Sequence, residues 1–410
     1  MLYSLPLESK GGKMDRIKQI FELADIARKD GGKYPRKREI YASISNVKGR
    51  HFTGVVGPRG AGKTIILKQI SHEIPSSIYL SADSIEDIDL FETAKLLSEK
   101  YDIGLLLIDE IHFLGNYQSS LKKIYDFLKI KIIFTSSVSL SLYESVHDLS
   151  RRVNLVTIFP FTFGEYVFFT KDEKLESLSI DQIYNDRWSP QHLRYGYLFE
   201  DYIKGGILPY SLEEPDVLPL LRNNLEKIIH KDIPTVSRLT MDELHLIEKA
   251  LKFIGRSPTD GINCSSVAKN LGITKYKAES YLKLLEKAFV INMIFPEGTN
   301  VLKEPKVLMC LPYRLLYSEY EDCIGALRED FFVESMRMRN LEFSYLKTNR
   351  GAKTPDYLVS ENERKTVVEV GGNSKGHEQF KSVSWTRRMI LVHSGTFSGI
   401  RKPLFSVGYA

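Results

Sequence analysis

Apolar positions along this chain change period several times, and each change predicts a different element. Short apolar runs recur early: Phe52-Thr53-Gly54-Val55-Val56, Ser77-Ile78-Tyr79-Leu80, Gly104-Leu105-Leu106-Leu107-Ile108, Lys131-Ile132-Ile133-Phe134 and Leu155-Val156-Thr157-Ile158. A run without polar alternation, as at 104–108, suits a strand buried on both faces of a parallel sheet. Between the runs the spacing turns helical. Ile17, Ile20, Phe21, Leu23, Ala24 and Ile26 share a face over residues 14–30, and residues 65–70 and 89–101 continue in the same way. Gly31-Gly32 stops the first helix, and Tyr34-Pro35-Arg36-Lys37-Arg38-Glu39 leads into a second, short one. The basic residues of that stretch read first as a solvated turn and second as a contact for nucleotide or DNA. Strand and helix in alternation predict an α/β fold with a parallel sheet and helices on both its faces.

Beyond residue 160 the spacing is mostly helical, over 190–235 and again over 225–251. A sharper signal follows. Ser265 to Thr274 reads as a helix ended by Gly272 and a new helix capped by Thr274, with Tyr281, Leu282, Leu284 and Leu285 facing inward. Two helices joined by a short Gly-containing turn form a helix-turn-helix. Ile291–Phe295 and Val301-Leu302, around Pro296-Glu297-Gly298-Thr299-Asn300, predict a hairpin after it. The last hundred residues predict a helix over 329–336, then strands at 342–346, 356–359 and 366–370. Trp385, Arg387 and Arg388 lie in a later strand-like segment.

Composition changes this picture little. At 410 residues the chain has room for two to four domains, and 43% apolar with 27% charged residues is ordinary for a globular protein. A net charge of +5 is too small over this length to argue for nucleic acid by itself. Cys264, Cys310 and Cys323 are scattered and odd in number, which predicts reduced thiols with neither a disulfide framework nor a zinc site. Residues 1–13 lack the apolar stretch of a signal peptide, and no run approaches a membrane span, so a soluble, cytoplasmic protein is expected.

Candidate chemistry starts at Gly57-Pro58-Arg59-Gly60-Ala61-Gly62-Lys63-Thr64, which fits G-x-x-x-x-G-K-[ST] between a strand and a helix. Glycines let successive N–H groups turn toward phosphate oxygens, and the helix N-terminus adds a favourable dipole. Lys63 is expected on the β- and γ-phosphates and Thr64 on Mg²⁺, which implies a nucleoside triphosphate. The run at 104–108 ends in Asp109-Glu110, 45 residues past Thr64. Carboxylates at that end of a parallel strand point into the crevice where such sheets bind ligands. Asp109 is expected to hold the Mg²⁺ shell and Glu110 to polarise the attacking water. Thr135 or Ser136 is placed to hydrogen-bond that water or the γ-phosphate, or simply to cap a helix. Arg151 or Arg152 suits charge neutralisation, in cis or from a neighbouring subunit, and equally a surface ion pair. Near the end, Glu334 on a helix with Asp356 and Glu369 on strands is a candidate divalent-metal set. Residues 264–290 hold five lysines (269, 275, 277, 283, 287) and two glutamates (279, 286), a net of +3. That suits phosphate contacts, although the second helix has no arginine, asparagine or glutamine to read bases.

The segments GPRGAGKT, LLLIDEIHF, IIFTSS, Arg151-Arg152 and FPFTFGEY together resemble the AAA+ superfamily of P-loop ATPases. More narrowly they resemble an archaeal and bacterial branch carrying Pro-[LF]-[ST]-Phe-x-Glu-[FY] after the ATPase core, matched here by 160–166. The resemblance implies ATP rather than GTP, a sensor-like Thr135 or Ser136, and a finger-like Arg151 or Arg152. Phe199 to Pro209 is similar to the branch's Gly-Gly-x-Pro element, with one residue more between Gly206 and Pro209; a helix end followed by proline explains the same residues. Residues 263–302 resemble winged helix-turn-helix domains. Pro355-Asp356 followed by Glu369 resembles the PD-(D/E)xK restriction-endonuclease-like fold, with Gly371 where that pattern has lysine; Lys375 or Lys381, with Gln379 beside them, are candidate substitutes. The branch often shows this departure, which implies a nuclease fold serving as a binding or scaffold module. The expected organisation is an AAA+ core with N-terminal helices (1–160), a helical lid over the nucleotide (161–235), a winged helix (236–302) and a nuclease-like α/β domain (303–410). The expected function is Mg²⁺-dependent ATP hydrolysis that switches engagement of DNA, by a homo-oligomer or a monomer, without membrane contact. The alternatives are an active metal-dependent DNA nuclease, for instance in genome defence, and an ATP-driven scaffold that grips a protein partner.

Overall fold

The computed structural model describes residues 10–410 except 47, 86–87, 138–148, 150, 299–303, 347–354, 373–379 and 381–386. Lys375, Gln379, Lys381, Trp385 and the strand expected at Val301-Leu302 lie outside the described residues. The chain divides into two compact units, Met1–Ile158 and Phe159–Ala410.

The first unit runs α1 (Lys10–Gly31), α2 (Tyr41–Ser45), β1 (Phe52–Val56), α3 (Lys63–Glu73), β2 (Ser77–Ser81), α4 (Leu90–Tyr101), β3 (Leu105–Asp109), α5 (Tyr117–Phe127), β4 (Lys131–Ser136) and β5 (Val153–Thr157). Its five strands are all parallel, in the order β2-β3-β4-β1-β5. Every residue of β1 and β3 is buried, as apolar runs without alternation require. The order has a consequence for chemistry: β4 lies between β1 and β3. Its last residues therefore stand between the loop that follows β1 and the carboxylates that end β3.

Pro35, Arg36 and Lys37 are exposed, as expected of a solvated turn, and the same stretch also packs its backbone onto α3. The side-chain amide of Gln69, buried on α3, donates to the carbonyls of Tyr34 (2.6 Å) and Arg36 (2.8 Å). Arg38 donates to the carbonyl of Ala61 at 2.9 Å, and Lys37 pairs with Glu73. A buried amide needs acceptors, and this stretch of backbone supplies them.

The second unit opens with helices. Phe163–Lys171 begins with a capping box between Thr162 and Glu165, and a longer helix spans Met241–Arg256. Cys264–Leu271 then ends at Gly272 with φ 66°, and Lys275–Lys287 starts from Thr274, whose hydroxyl accepts from Lys277 N. Ala278, Tyr281, Leu282 and Leu285 are buried, whereas Leu284 is only half-buried. Strand β6 (Ile291–Ile294) pairs antiparallel with β7 (Lys306–Met309), so the returning strand lies later than expected. The reason is burial: Val307, Leu308 and Met309 complete the core at that edge. A helix, Tyr320–Met338, leads into a sheet of β8 (Glu342–Tyr345), β9 (Tyr357–Glu361), β10 (Arg364–Gly371), β11 (Arg388–Val392) and β12 (Arg401–Pro403), ordered β12-β11-β10-β9-β8. Neighbours from β8 to β10 are antiparallel, and those from β10 to β12 parallel.

The divisions expected at 235 and 302 do not appear as breaks in packing. One apolar core runs from Phe161 through Leu251, Leu282 and Phe331 to Tyr409. A buried ion pair reinforces it: Arg314 meets Asp330 at 2.6 Å and also donates to the carbonyls of Ile254 and Ser257. No helix among the described residues is long and apolar enough to cross a membrane.

Candidate active site

The loop between β1 and α3 is shaped for phosphate. Gly60 (φ 82°) and Gly62 (φ 88°) take the left-handed conformation that side-chain-bearing residues avoid. At Gly57 the obstacle is steric, since an added Cβ would lie 2.1 Å from the carbonyl oxygen of Ile158. Lys63 opens α3 and is buried, its ammonium donating to the carbonyls of Gly57 and Pro58, both at 2.9 Å. A glycine-rich cradle, a helix N-terminus and an ammonium folded over the loop match what a triphosphate needs.

Asp109 lies at the matching end of β3 and is gripped from three sides. Its Oδ2 accepts from the Thr64 hydroxyl (2.7 Å) and from the Tyr79 hydroxyl (2.9 Å), and its Oδ1 accepts from Thr135. Thr64 keeps its proton on Asp109, which leaves its own lone pairs for a cation. Thr64 and Asp109 are therefore the residues that would hold Mg²⁺. Thr135 also accepts from the backbone N–H of Glu110 at 2.9 Å, so one hydroxyl on β4 braces both carboxylate residues. Ser136, the alternative to Thr135, points differently: its hydroxyl lies 3.1 Å from His112 Nδ1. Adjacent strand residues face opposite sides, and Thr135 is the one on the Asp109 side.

Glu110 has a left-handed backbone (φ 51°) and turns out of β3. Its Oε2 accepts from the N–H of Ser137 at 2.8 Å and lies 3.3 Å from His112 Nδ1. Burial opposes its charge, but Lys63, His112, the Ser137 N–H and Arg59 together hold its carboxyl below the ordinary value. The group is thus an ionised carboxylate near neutral pH, as a base for water must be.

The paired arginines stand elsewhere. Arg152 immediately precedes β5, its carbonyl accepts from the N–H of Phe52 at the start of β1, and its guanidinium pairs with Asp126 at 3.0 Å. The phosphate loop follows the other end of β1, roughly 16 Å away at the rise of a strand. Arg151 beside it is exposed. Neither position reaches the loop of its own chain.

The expected set in the second unit is brought together only in part. Glu334 accepts from Leu311 N at 2.7 Å, and burial pushes its carboxyl up to about 8. It does not face Asp356. Glu329 of the same helix does, because five residues along a helix turn a side chain through about 140° to another face. Glu329 takes the Lys306 ammonium at 2.5 Å and the Tyr357 hydroxyl at 2.9 Å. Burial, then the charges of Glu329 and Glu369, push the Asp356 carboxyl well up, and Glu369 is fully buried. A cleft of about 330 Å³ opens beside Asp356 and Lys306. Among the described residues no group of three His, Cys, Asp or Glu side chains is arranged to hold a metal ion. Lys306 and Glu329 carry no motif and were legible only in three dimensions.

The basic helix is also less open than its composition implied. Lys275 pairs with Glu304 (2.6 Å), Lys277 with Glu243 (2.9 Å) and Lys283 with Glu279 (2.7 Å). Tyr79, His112 and Ser137 were likewise unmarked: the one cue was a hydroxyl-bearing ring, Tyr79, between Ile78 and Leu80 of a buried strand.

With this geometry in view, the AAA domain family matches residues 49–167, and a domain of unknown function (DUF8612) matches residues 197–310. The chain is 32% identical over 383 residues to the uncharacterized protein MJ1637 of Methanocaldococcus jannaschii, covering 84% of this chain and 80% of that one. Among solved structures, the Aeropyrum pernix ORC1 protein in complex with DNA aligns with 14% identity and a TM-score of 0.30, covering 72% of this chain and 92% of that one. The Thermotoga maritima RuvB Holliday junction branch migration motor aligns with 14% identity and a TM-score of 0.26, covering 67% and 88%. At such scores the likeness to either structure carries no argument.

Proposed function

This chain belongs to the family of the Methanocaldococcus jannaschii protein MJ1637 and carries an AAA domain, and from there we propose that it is a Mg²⁺-dependent ATPase. Its turnover switches how the second unit engages a partner, for which DNA is the first candidate. One observation carries the ATPase reading: the Thr64 hydroxyl donates to Asp109 at 2.7 Å, beside a glycine loop whose lysine is buried.

Bound ATP and Mg²⁺ supply an electrophilic γ-phosphorus and a cation that offsets its charge. The chain's own residues do the rest. The loop from Gly57 to Thr64, with Arg59 and Ala61 contributing backbone, holds the phosphates. Lys63 exchanges the carbonyls of Gly57 and Pro58 for phosphate oxygens. Thr64 and Asp109 orient the metal, and Thr135 keeps Asp109 and Glu110 in register. Glu110 accepts the proton of the attacking water once its bond to Ser137 N is exchanged for that water. Arg151 or Arg152 acts on the site of a neighbouring copy, since both lie at the opposite end of their own sheet; this reading makes the working form a homo-oligomer.

DNA is proposed for the helix-turn-helix because its second helix is lysine-rich and carries the exposed Tyr276 (82%) in its first turn. The ion pairs of Lys275, Lys277 and Lys283 favour a second reading, in which this module and the end sheet grip a protein. A nuclease-like end domain cleaving DNA has less support, because Glu334 stands apart and Lys306 already neutralises Glu329.

The test is ATP hydrolysis with and without single- and double-stranded DNA, with Lys63→Ala and Glu110→Gln as controls. Stimulation by DNA supports the first reading. Hydrolysis indifferent to DNA moves the proposal to a protein partner. Hydrolysis that survives Lys63→Ala refutes the site.

A further inference from the structure

Resting on the nucleotide reading above, we infer that Tyr79 is a positioning residue for the metal shell, fixing the plane of the Asp109 carboxylate so that one lone pair is left to face a Mg²⁺-bound water. Tyr79 lies on β2, the strand beside β3, and its ring is buried (6% exposed). Its hydroxyl reaches Asp109 Oδ2 at 2.9 Å, the oxygen that also takes Thr64 at 2.7 Å. A carboxylate oxygen has two in-plane lone pairs, so these two donors fill Oδ2. Oδ1 takes Thr135 and keeps one direction open.

The consequence is rotational. Without the Tyr79 hydroxyl, Oδ2 has only Thr64, and the carboxylate plane is freer to tilt about its last torsion. With Tyr79 in place, a tilt of that plane pulls Oδ2 away from a buried phenol that has Asp109 as its acceptor. The metal-facing lone pair is therefore set by a residue that touches neither metal nor nucleotide. Partners of metal-orienting groups commonly change metal affinity about tenfold or more when removed.

The experiment measures binding rather than turnover. A fluorescent ATP analogue is titrated into the full chain in EDTA and across a Mg²⁺ series, for wild type, Tyr79→Phe and Asp109→Asn. Tyr79→Phe is expected to bind like wild type in EDTA but to need about tenfold more Mg²⁺ for half of the metal-dependent tightening. The double variant is expected to be no worse than Asp109→Asn, because the hydroxyl acts only through that carboxylate. Should Tyr79→Phe weaken binding equally in EDTA and Mg²⁺, its role is general packing and the inference falls. A wild-type Mg²⁺ requirement in Tyr79→Phe also overturns it, while leaving the nucleotide site standing. Absence of metal-dependent tightening in wild type removes the nucleotide reading and this inference together.

Discussion

Replacing Gly57 by alanine tests the fit of the phosphate loop with one carbon atom. The added Cβ would lie 2.1 Å from the carbonyl oxygen of Ile158 and 2.7 Å from its Cγ2. Ordinary contact begins above 3 Å, so something must move by about an ångström. Ile158 yields poorly: it is fully buried, and its N–H donates to Val56 O at 2.8 Å, tying β5 to β1. The loop or the strand must shift instead, at a cost of about 2–3 kcal/mol, the upper part of the range for overpacking because the obstacle is backbone. That corresponds to roughly 30-fold or more in the folding equilibrium of the first unit. A phosphate-binding N–H displaced by about an ångström loses most of its hydrogen bond, so nucleotide affinity should fall at least about tenfold. Gly104→Ala is the matched control, since nothing lies within 4 Å of its built Cβ. There alanine should be neutral or stabilise by up to about 1 kcal/mol. Urea unfolding followed by far-UV circular dichroism reads both units, and the part of the transition not shared with tryptophan emission belongs to the first. Tryptophan emission serves as an internal reference, because Trp188 and Trp385 both belong to the second. If Gly57→Ala unfolds and binds nucleotide as Gly104→Ala does, the close approach of loop and β5 is not what holds the site.

Glu110→Gln should retain ATP binding and lose hydrolysis by about a hundredfold or more, read by trapping labelled nucleotide on filters. In a mixture of Lys63→Ala with Arg151→Ala/Arg152→Ala chains, hydrolysis should recover relative to either variant alone, because an intact loop on one copy meets intact arginines on another; no recovery at any mixing ratio refutes an arginine acting between copies. Arg314→Met should destabilise the second unit by about 3–5 kcal/mol, since Asp330 is left buried without its partner, and Arg314→Met with Asp330→Leu should cost much less; tryptophan emission in urea checks both. Glu334 supplies a pH test. Its folded value is raised to about 8 against an ordinary 4.5, so between those values the unfolded chain ionises while the folded one keeps its proton. Its contribution therefore destabilises progressively as pH rises from about 4.5 to 8, by up to about 5 kcal/mol, and Glu334→Gln should flatten that slope in melts at stepped pH.

Elements with strong local causes were legible without coordinates. The five strands of the first unit, the cap at Thr274 and the stop at Gly272 each follow from a few neighbouring residues. So does the loop from Gly57 to Thr64, because its chemistry is written into consecutive backbone positions. Asp109 and Glu110 could be read as ending a buried strand before any sheet was drawn.

What escaped depended on distance in sequence. Tyr79 meets Asp109 only because β2 and β3 pair in one register, and Thr135 outranks Ser136 only because β4 presents that face to β3. Glu334 and Glu329 are equally acidic, and only packing of the helix Tyr320–Met338 decides which one turns to Asp356. Lys306 belongs to a strand whose place in the hairpin no turn motif marked, and its ammonium stands among carboxylates from segments far away in the chain. The sequence by itself determined the parallel ATPase-type sheet, its phosphate loop and the two helices joined at Gly272, since local pattern suffices for each. Only the tertiary structure decided which hydroxyl holds Asp109, which end of the sheet carries the arginines, and which carboxylates of the last sheet meet. Those outcomes depend on register and facing, which hydrophobic period alone does not encode.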